Sequence, residues 1–219
     1  MITSGENGNT SMDSTEVIDL TTGKTFNMPS LGRRTYGATG GLLDGLPLVC
    51  GGWTENKIHS INKEESKSLG QLTATRWCPA SVVLSQNTVW VTGGYDHQSK
   101  NFLKTTELVT KEGKTSKGPD LPLALCDHAI VALNSGVFIL IGGYSGGYSS
   151  ATYFYEEKKG WRPGPNLKNA REGHTAGVLT DRVSTKQYIV AVGGYPAGSS
   201  LEYLEYPGSN EWMQGKPTH

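Results

Sequence analysis

Cysteine is scarce in this 219-residue chain: Cys50, Cys78 and Cys126 are an odd number at wide spacing. That excludes a disulfide framework and the paired-cysteine spacing of a zinc site. All three stand at or near apolar strand positions, so they read as small buried thiols, which fits a reducing, cytoplasmic compartment. An excess of one charge sign is also missing. Twenty Lys and Arg balance twenty Asp and Glu, and the densest stretches, Lys63-Glu64-Glu65 and Glu156-Glu157-Lys158-Lys159, mix signs. Nucleic-acid binding rests on a concentrated basic footprint, which this sequence does not carry. No apolar run approaches the roughly 18 residues of a membrane helix, so no membrane partner is expected. The start of the chain is polar (Ser4, Gly5, Glu6, Asn7) and does not read as a signal peptide. Secretion would enter only through a missing N-terminal segment, and only then would the sequon Asn9-Thr10-Ser11 matter. Sustained helical periodicity is absent, as are a Gly-x-Ser-x-Gly elbow and a kinase-type signature.

Glycine, by contrast, is abundant, with 29 residues. Four Gly-Gly pairs share their flanks: Val49-Cys50-Gly51-Gly52-Trp53, Val91-Thr92-Gly93-Gly94-Tyr95, Leu140-Ile141-Gly142-Gly143-Tyr144 and Ala191-Val192-Gly193-Gly194-Tyr195. Each follows an apolar, strand-like run and meets an aromatic at once. The gaps between them are 42, 49 and 51 residues. Self-similarity at such a period marks a propeller or a solenoid. Gly40-Gly41 and Gly146-Gly147 lack the apolar run and fall outside the frame. A chain of this length can bury a sizeable core, and the repeat argues for one domain.

Within each unit a short polar word comes first: Arg33-Arg34-Thr35-Tyr36, Arg76-Trp77-Cys78-Pro79, Leu125-Cys126-Asp127-His128, Arg171-Glu172-Gly173-His174. A strand of small and apolar residues follows (80–84, 129–133, 175–179). After it come a turn (Ser85-Gln86-Asn87; Asn134-Ser135-Gly136; 181–186) and a second strand running into the glycines (88–92, 137–141, 187–192). These runs are rich in Val, Ile, Thr and aromatics and too short for helices. Beyond the glycines a polar loop leads to a third strand, Ser14-Thr15-Glu16-Val17-Ile18-Asp19 or Thr105-Thr106-Glu107-Leu108-Val109-Thr110 or Ser200-Leu201-Glu202-Tyr203-Leu204-Glu205. A fourth strand carries Trp161 or Trp212, each six residues past a tyrosine, and ends in Pro29-Ser30-Leu31, Pro119-Asp120-Leu121 or Pro165-Asn166-Leu167. Proline suits the outermost strand of a sheet. Each unit thus reads as a four-stranded antiparallel meander, and such a sheet repeated radially is a propeller blade.

An apolar strand ending in Gly-Gly-aromatic, followed by Tyr-x5-Trp, Pro-x-Leu and Arg-x-x-His, resembles the kelch repeat, and the resemblance covers nearly the whole chain. WD-type propellers are the nearest rival, but their Trp-Asp strand ends are absent. Two units depart from the pattern with Thr25 and Thr115 at the tryptophan position, and Leu125 replaces one arginine. The resemblance implies an all-β kelch-type propeller. The units fall at about 31–75, 76–121, 122–167 and 168–219, with residues 1–30 as a partial blade. Ile2-Thr3-Ser4-Gly5 resembles Val91-Thr92-Gly93-Gly94, so the chain is expected to begin at the end of a second strand. The first blade would then lack its two inner strands. The expectation is four whole blades and a half, a segment of a longer propeller, able to self-associate through its open blades.

Some kelch-like propellers are enzymes. The galactose oxidase type needs a copper site of tyrosines, histidines and a modified cysteine, and plant specifier proteins carry an iron-binding Glu-x3-Asp-x3-His pattern, which is absent. Of His59, His97, His128, His174 and His219, only His128 and His174 hold the same place in adjacent repeats, and two histidines do not make a metal site. Glu16, Glu107 and Glu202 also recur at one position and read as packing or solvated acids. No cofactor, metal or catalytic residue is therefore expected. The paired glycines Gly51, Gly52, Gly93, Gly94, Gly142, Gly143, Gly193 and Gly194 read as structural, because no helix follows them to cradle a phosphate. Radial repetition would gather Trp53, Tyr95, Tyr144 and Tyr195 near one mouth of the channel, with Arg33, Arg76 and Arg171 on the same side. Aromatics of this kind suit recognition. The reading is a non-catalytic module that binds a protein or peptide through inter-strand loops, above all 96–104 and 145–150. The alternative is a fragment of a galactose oxidase-like enzyme or carbohydrate-binding domain whose site lies in missing blades.

Overall fold

The computed structural model describes residues 2–8, 10–133, 136–184 and 186–215, and among them every regular element is a strand. No helix among them is long and apolar enough to cross a membrane. Asn9 of the sequon, Asn134 and Ser135 of one expected turn, Thr185 of another, and His219 lie outside the described residues.

Two units divide the chain, Met1–Asp120 and Leu121–His219. Among the described residues the first holds three blade sheets and a two-stranded ribbon. β1 (Ile2–Asn7), β2 (Thr10–Ile18) and β3 (Thr25–Met28) pair in that order. So do β4 (Thr39–Leu43), β5 (Leu46–Cys50), β6 (Lys57–Ile61) and β7 (Ser66–Gln71). The third sheet starts with β8 (Ala80–Ser85) and β9 (Thr88–Thr92). A two-stranded ribbon, β10 (Tyr95–Asp96) with β11 (Asn101–Phe102), then interrupts it before β12 (Thr106–Thr110) and β13 (Thr115–Lys117) complete it. The second unit holds two sheets. One is β14 (Ala129–Ala132), β15 (Val137–Ile141), β16 (Thr152–Glu156) and β17 (Gly160–Pro163). The other is β18 (Thr175–Thr180), β19 (Gln187–Val192), β20 (Leu201–Tyr206) and β21 (Met213–Gln214). All pairs are antiparallel meanders, so the chain is all-β and built from five propeller blades of three or four strands.

The first blade corrects the expectation of four whole blades and a half. By analogy with the other units, the strand should stop at Gly5. It runs on instead, and after a bulge between Thr3 and Gly5 the residues Gly5, Glu6 and Asn7 pair with Met12, Ser11 and Thr10. A tight hairpin replaces the outward leap, so residues 2–28 form a three-stranded blade and not an outer pair alone.

The second strand of the second blade lies between the first and third blades, and both of its faces contribute to buried clusters. Its sequence is accordingly a continuous apolar run and not an alternation. In β5, Leu48 and Cys50 face Val89, Val91 and Val109, while Val49 faces Leu31 and Ile61. In β15, Ile139 and Ile141 join Ile189, Ala191, Leu204 and Trp212, while Leu140 joins Leu121 and Leu125. Burial of each such side chain stabilises by about 1.5–3 kcal/mol before conformational entropy is subtracted. Cys50 and Cys126 are buried free thiols, and burial, with Glu107 nearby, pushes the Cys50 thiol up to about 12.

Two of the glycine pairs, Gly51-Gly52 and Gly142-Gly143, sit where neighbouring blades meet. Gly52 N–H donates to the Arg76 carbonyl at 2.9 Å, and Gly143 N–H to the Arg171 carbonyl at 2.8 Å. Gly52 has φ 117°, and a Cβ there would lie 2.2 Å from Thr35 Oγ1. At Gly143 (φ 103°) a Cβ would lie 2.9 Å from the Cys126 carbonyl oxygen. Only glycine combines that backbone angle with that proximity. The outer words have their own packing role. Pro165 presents its carbonyl to both Thr152 Oγ1 (2.8 Å) and Trp212 Nε1 (2.9 Å), which ties the outer strand of the last blade to the one before it.

Candidate functional site

In the third and fifth blades the loop after the glycine pair is closed by a side chain that opens the same blade. Arg76 Nη1 donates to the carbonyls of Gly93 (2.7 Å) and Thr105 (2.8 Å), and its Nε donates to Glu107 at 3.1 Å. Glu107 in turn accepts from Thr73 N–H. Arg171 repeats the arrangement, donating to the carbonyls of Gly193 (2.7 Å) and Ser200 (3.2 Å), with Nη2 2.7 Å from Glu202. Both guanidiniums are fully buried. Burial would raise the Glu202 carboxyl, but donors from Lys168 N–H, Arg171 and Asn169 outweigh it and hold it below the usual range. Arg76 and Arg171 therefore pin the ends of the loops that carry Tyr95 and Tyr195, and have no surface with which to meet a partner.

The other two blades fill the same place differently. β16 supplies Tyr153 opposite Leu140, and it packs with Leu125, so an apolar pair stands where the ion pair does elsewhere. In the second blade the aligned position is Thr35, two residues past Arg33: Gly5 N–H donates to the Thr35 carbonyl as Gly52 N–H does to that of Arg76. Arg33 reaches the spot from outside, with Nε donating to His59 Nε2 at 3.1 Å and an ion pair to Glu55.

The post-glycine aromatics fall into one cluster in each unit. In the first unit, Trp53 and Tyr95 flank His97, at 3.9 and 5.0 Å between ring centroids. Trp77 stands 5.1 Å from Trp53, Tyr36 stacks on Trp53 at 5.2 Å, and Phe102 closes the ribbon side 5.2 Å from Tyr95. Asp96 fixes this ribbon. It accepts from Thr75 Oγ1, Gln98 N–H (3.0 Å) and Ser99 Oγ (2.7 Å). Its burial would raise its pKa, but these hydrogen bonds bring it below the ordinary value. In the second unit, Tyr148 bridges the expected pair, 5.5 Å from Tyr144 and 5.3 Å from Tyr195. Tyr195 is 64% exposed, Tyr148 44% and Trp53 37%.

Sequence reasoning missed Tyr36, Trp77, His97, Phe102 and Tyr148. Tyr36 and Trp77 were visible in the polar words before the inner strands. His97 and Phe102 lie in the loop marked for selectivity. Tyr148 follows Gly146-Gly147, a Gly-Gly-aromatic word set aside because no apolar strand precedes it. Among the described residues no three His, Cys, Asp or Glu side chains are grouped so that they could hold a metal ion. His128 and His174 are buried at the starts of inner strands. Comparison with protein-family models and with curated proteins finds no match to this chain.

Proposed function

We propose that this chain is a kelch-type propeller protein that acts as a non-catalytic interaction module, holding a peptide or protein partner on its post-glycine loops. One observation carries the reading: all four aromatics that follow the glycine pairs stand in clusters with further rings, and Trp53, Tyr148 and Tyr195 of those clusters present exposed surface. Exposed Tyr and Trp held on fixed loops offer apolar area with a polar tip at little entropic loss, the composition of interface anchors. The buried arginines and Asp96 supply the rigidity. The kelch identity is supported by the four registered repeats and the blade topology.

The test is a displayed peptide library selected against the whole chain, followed by affinity and melting measurements on single variants. Trp53→Ala and Tyr195→Ala are expected to weaken selected peptides by about 2 kcal/mol or more at an anchor. Tyr195→Ala should also melt close to the parent, since most of that ring is in solvent. If both variants keep full affinity, the interaction surface lies elsewhere. If a glycan panel binds through the same rings and no peptide does, a carbohydrate replaces the protein partner.

A further inference from the structure

The tyrosine face of the second unit has a charge at its base that no ion pair among the described residues balances. Glu172 and Tyr195 exchange two backbone hydrogen bonds, at 2.9 and 3.0 Å, which set Glu172 opposite the most exposed residue of the cluster; burial, then Tyr195 and the Glu172 charge, raise the Tyr148 phenol. Cys126 and Tyr144 exchange another two, at 3.0 and 2.8 Å, and Asp127 follows Cys126 directly. Gly173 N–H donates to the Asp127 carbonyl at 2.9 Å, so the segments bearing the two acids lie side by side. Both acids are half-buried. Among the described residues, Asp127 accepts a weak bond from Cys126 Sγ at 3.2 Å. Neither acid forms an ion pair among the described residues, because the nearest arginine in sequence, Arg171, is turned inward to Gly193, Ser200 and Glu202. Burial and then the Asp127 charge push the Glu172 carboxyl above its ordinary value, as an unbalanced pair requires.

The position that holds Glu172 is a variable one. The residue whose backbone pairs with the post-glycine aromatic is Trp77 in the third blade, Cys126 in the fourth and Glu172 in the fifth, within a constant hydrogen-bonding frame. The backbone frame therefore does not require a carboxylate at this place.

Building on the interaction-module reading, we infer that Tyr144, Tyr148, Tyr195, Asp127 and Glu172 form a receiving site for a lysine or arginine side chain of a partner peptide. Tyrosine faces attract a cation through their quadrupole, and the aliphatic stem of either side chain covers ring surface while its head meets the carboxylates. Complementary charge fixes the occupant: an acidic or purely apolar side chain would leave the two carboxylates repelled or unpaired.

The experiment titrates the whole chain with blocked pentapeptides of glycine carrying one central residue, either lysine, arginine, norleucine or glutamate. The readout is the ring signals of Tyr148 and Tyr195 by NMR. The lysine and arginine peptides are expected to bind at least tenfold more tightly than norleucine, and more weakly as salt rises from 50 to 500 mM. Glu172→Gln should weaken them at least fivefold and melt no lower than the parent, since it removes a repulsion and no hydrogen bond. Equal binding of norleucine and lysine, or an unchanged affinity in Glu172→Gln, overturns the inference. If norleucine or glutamate binds there and Tyr195→Ala abolishes it, the cation site falls while the interaction module stands. If no pentapeptide moves these signals and the library also selects nothing, both fall together.

Discussion

Arg171→Ala is expected to destabilise the second unit by about 3–5 kcal/mol, the range for breaking one side of a buried ion pair. Glu202 is fully buried, so the charge left behind cannot hydrate; the Gly193 carbonyl loses its arginine donor in the same stroke, and the Ser200 carbonyl is left with Gly193 N–H. Glu202→Ala should cost a similar amount, because it strands the guanidinium and frees Lys168 N–H and Asn169. The fourth blade shows a second way to fill the site. It keeps Leu125 and Tyr153 at the matching positions and stays packed. A double replacement in the fifth blade, Arg171→Leu with Glu202→Tyr, should therefore recover much of the loss, since a well-packed apolar pair is often as stable as a buried ion pair. Urea unfolding of the two singles and the double decides it. Single-variant losses under about 1 kcal/mol, or strictly additive effects, would mean that the pair is not the coupled unit its geometry indicates.

The same swap bears on binding. Arg171 fastens the two ends of the loop that presents Tyr195, so a Leu–Tyr core that restores stability without the carbonyl donors should leave that loop less fixed. Partner affinity would then fall in the double variant even where melting recovers. A role for the arginines on the binding surface itself predicts the opposite order, with affinity lost in proportion to charge and stability unaffected.

Much of this arrangement could be read from the sequence because blades repeat. The strand content, the antiparallel meanders and the seam role of Gly52 and Gly143 follow from runs that must be apolar on both faces and then turn at positive φ. What could not be read involves positions where chemistry changes but backbone does not. A left-handed residue is needed just before each inner strand, and it is Gly37, Cys78, Asp127 or Gly173, so two of the four places hide behind ordinary side chains. The matching of Arg33 to Arg76 failed for a related reason: the backbone counterpart is Thr35, and a long side chain two residues earlier reaches toward the same region. The first blade was misjudged because Gly5 makes the expected bond to Thr35 while the strand continues through it. The period brings out Tyr144 and Tyr195 of the tyrosine cluster but not Tyr148, which belongs to a loop, and loops carry no register.

Lowering the pH from 7 to 5 is expected to loosen the second unit, with His128 and His174 as the agents. Burial pulls His128 down to about 3, with His174 adding to the effect, and burial followed by the Arg171 charge pulls His174 down to about 4. Both are neutral in the folded state at neutral pH. An unfolded chain protonates them near 6.5. The unfolded state therefore binds more protons between roughly pH 6.5 and 4, and stability present above 6.5 is lost progressively as the pH falls through that window. Each unit of pKa depression corresponds to about 1.4 kcal/mol, so the two histidines together account for several kcal/mol against a typical total of about 5–15. The first unit contributes in the same sense, since burial and Arg33 also lower His59. Glu202 and Asp96 act lower on the scale, because their folded values lie below the ordinary carboxylate range and their contribution fades only beneath it. Glu172 opposes the trend slightly, its raised value favouring the folded state as the solution acidifies. Calorimetric melting at pH 7.5, 6.5, 5.5 and 4.5 should show a fall of roughly 10 °C or more across the series, given about 2–4 °C per kcal/mol for a chain of this size. Replacing both histidines by leucine removes the titrating groups of the second unit and leaves the glycine seam in place, so most of the fall down to about pH 5 should vanish in that variant, the remainder being that of His59. A parent protein whose melting temperature stays level from pH 7.5 to 5 would show that the buried imidazoles carry no such penalty.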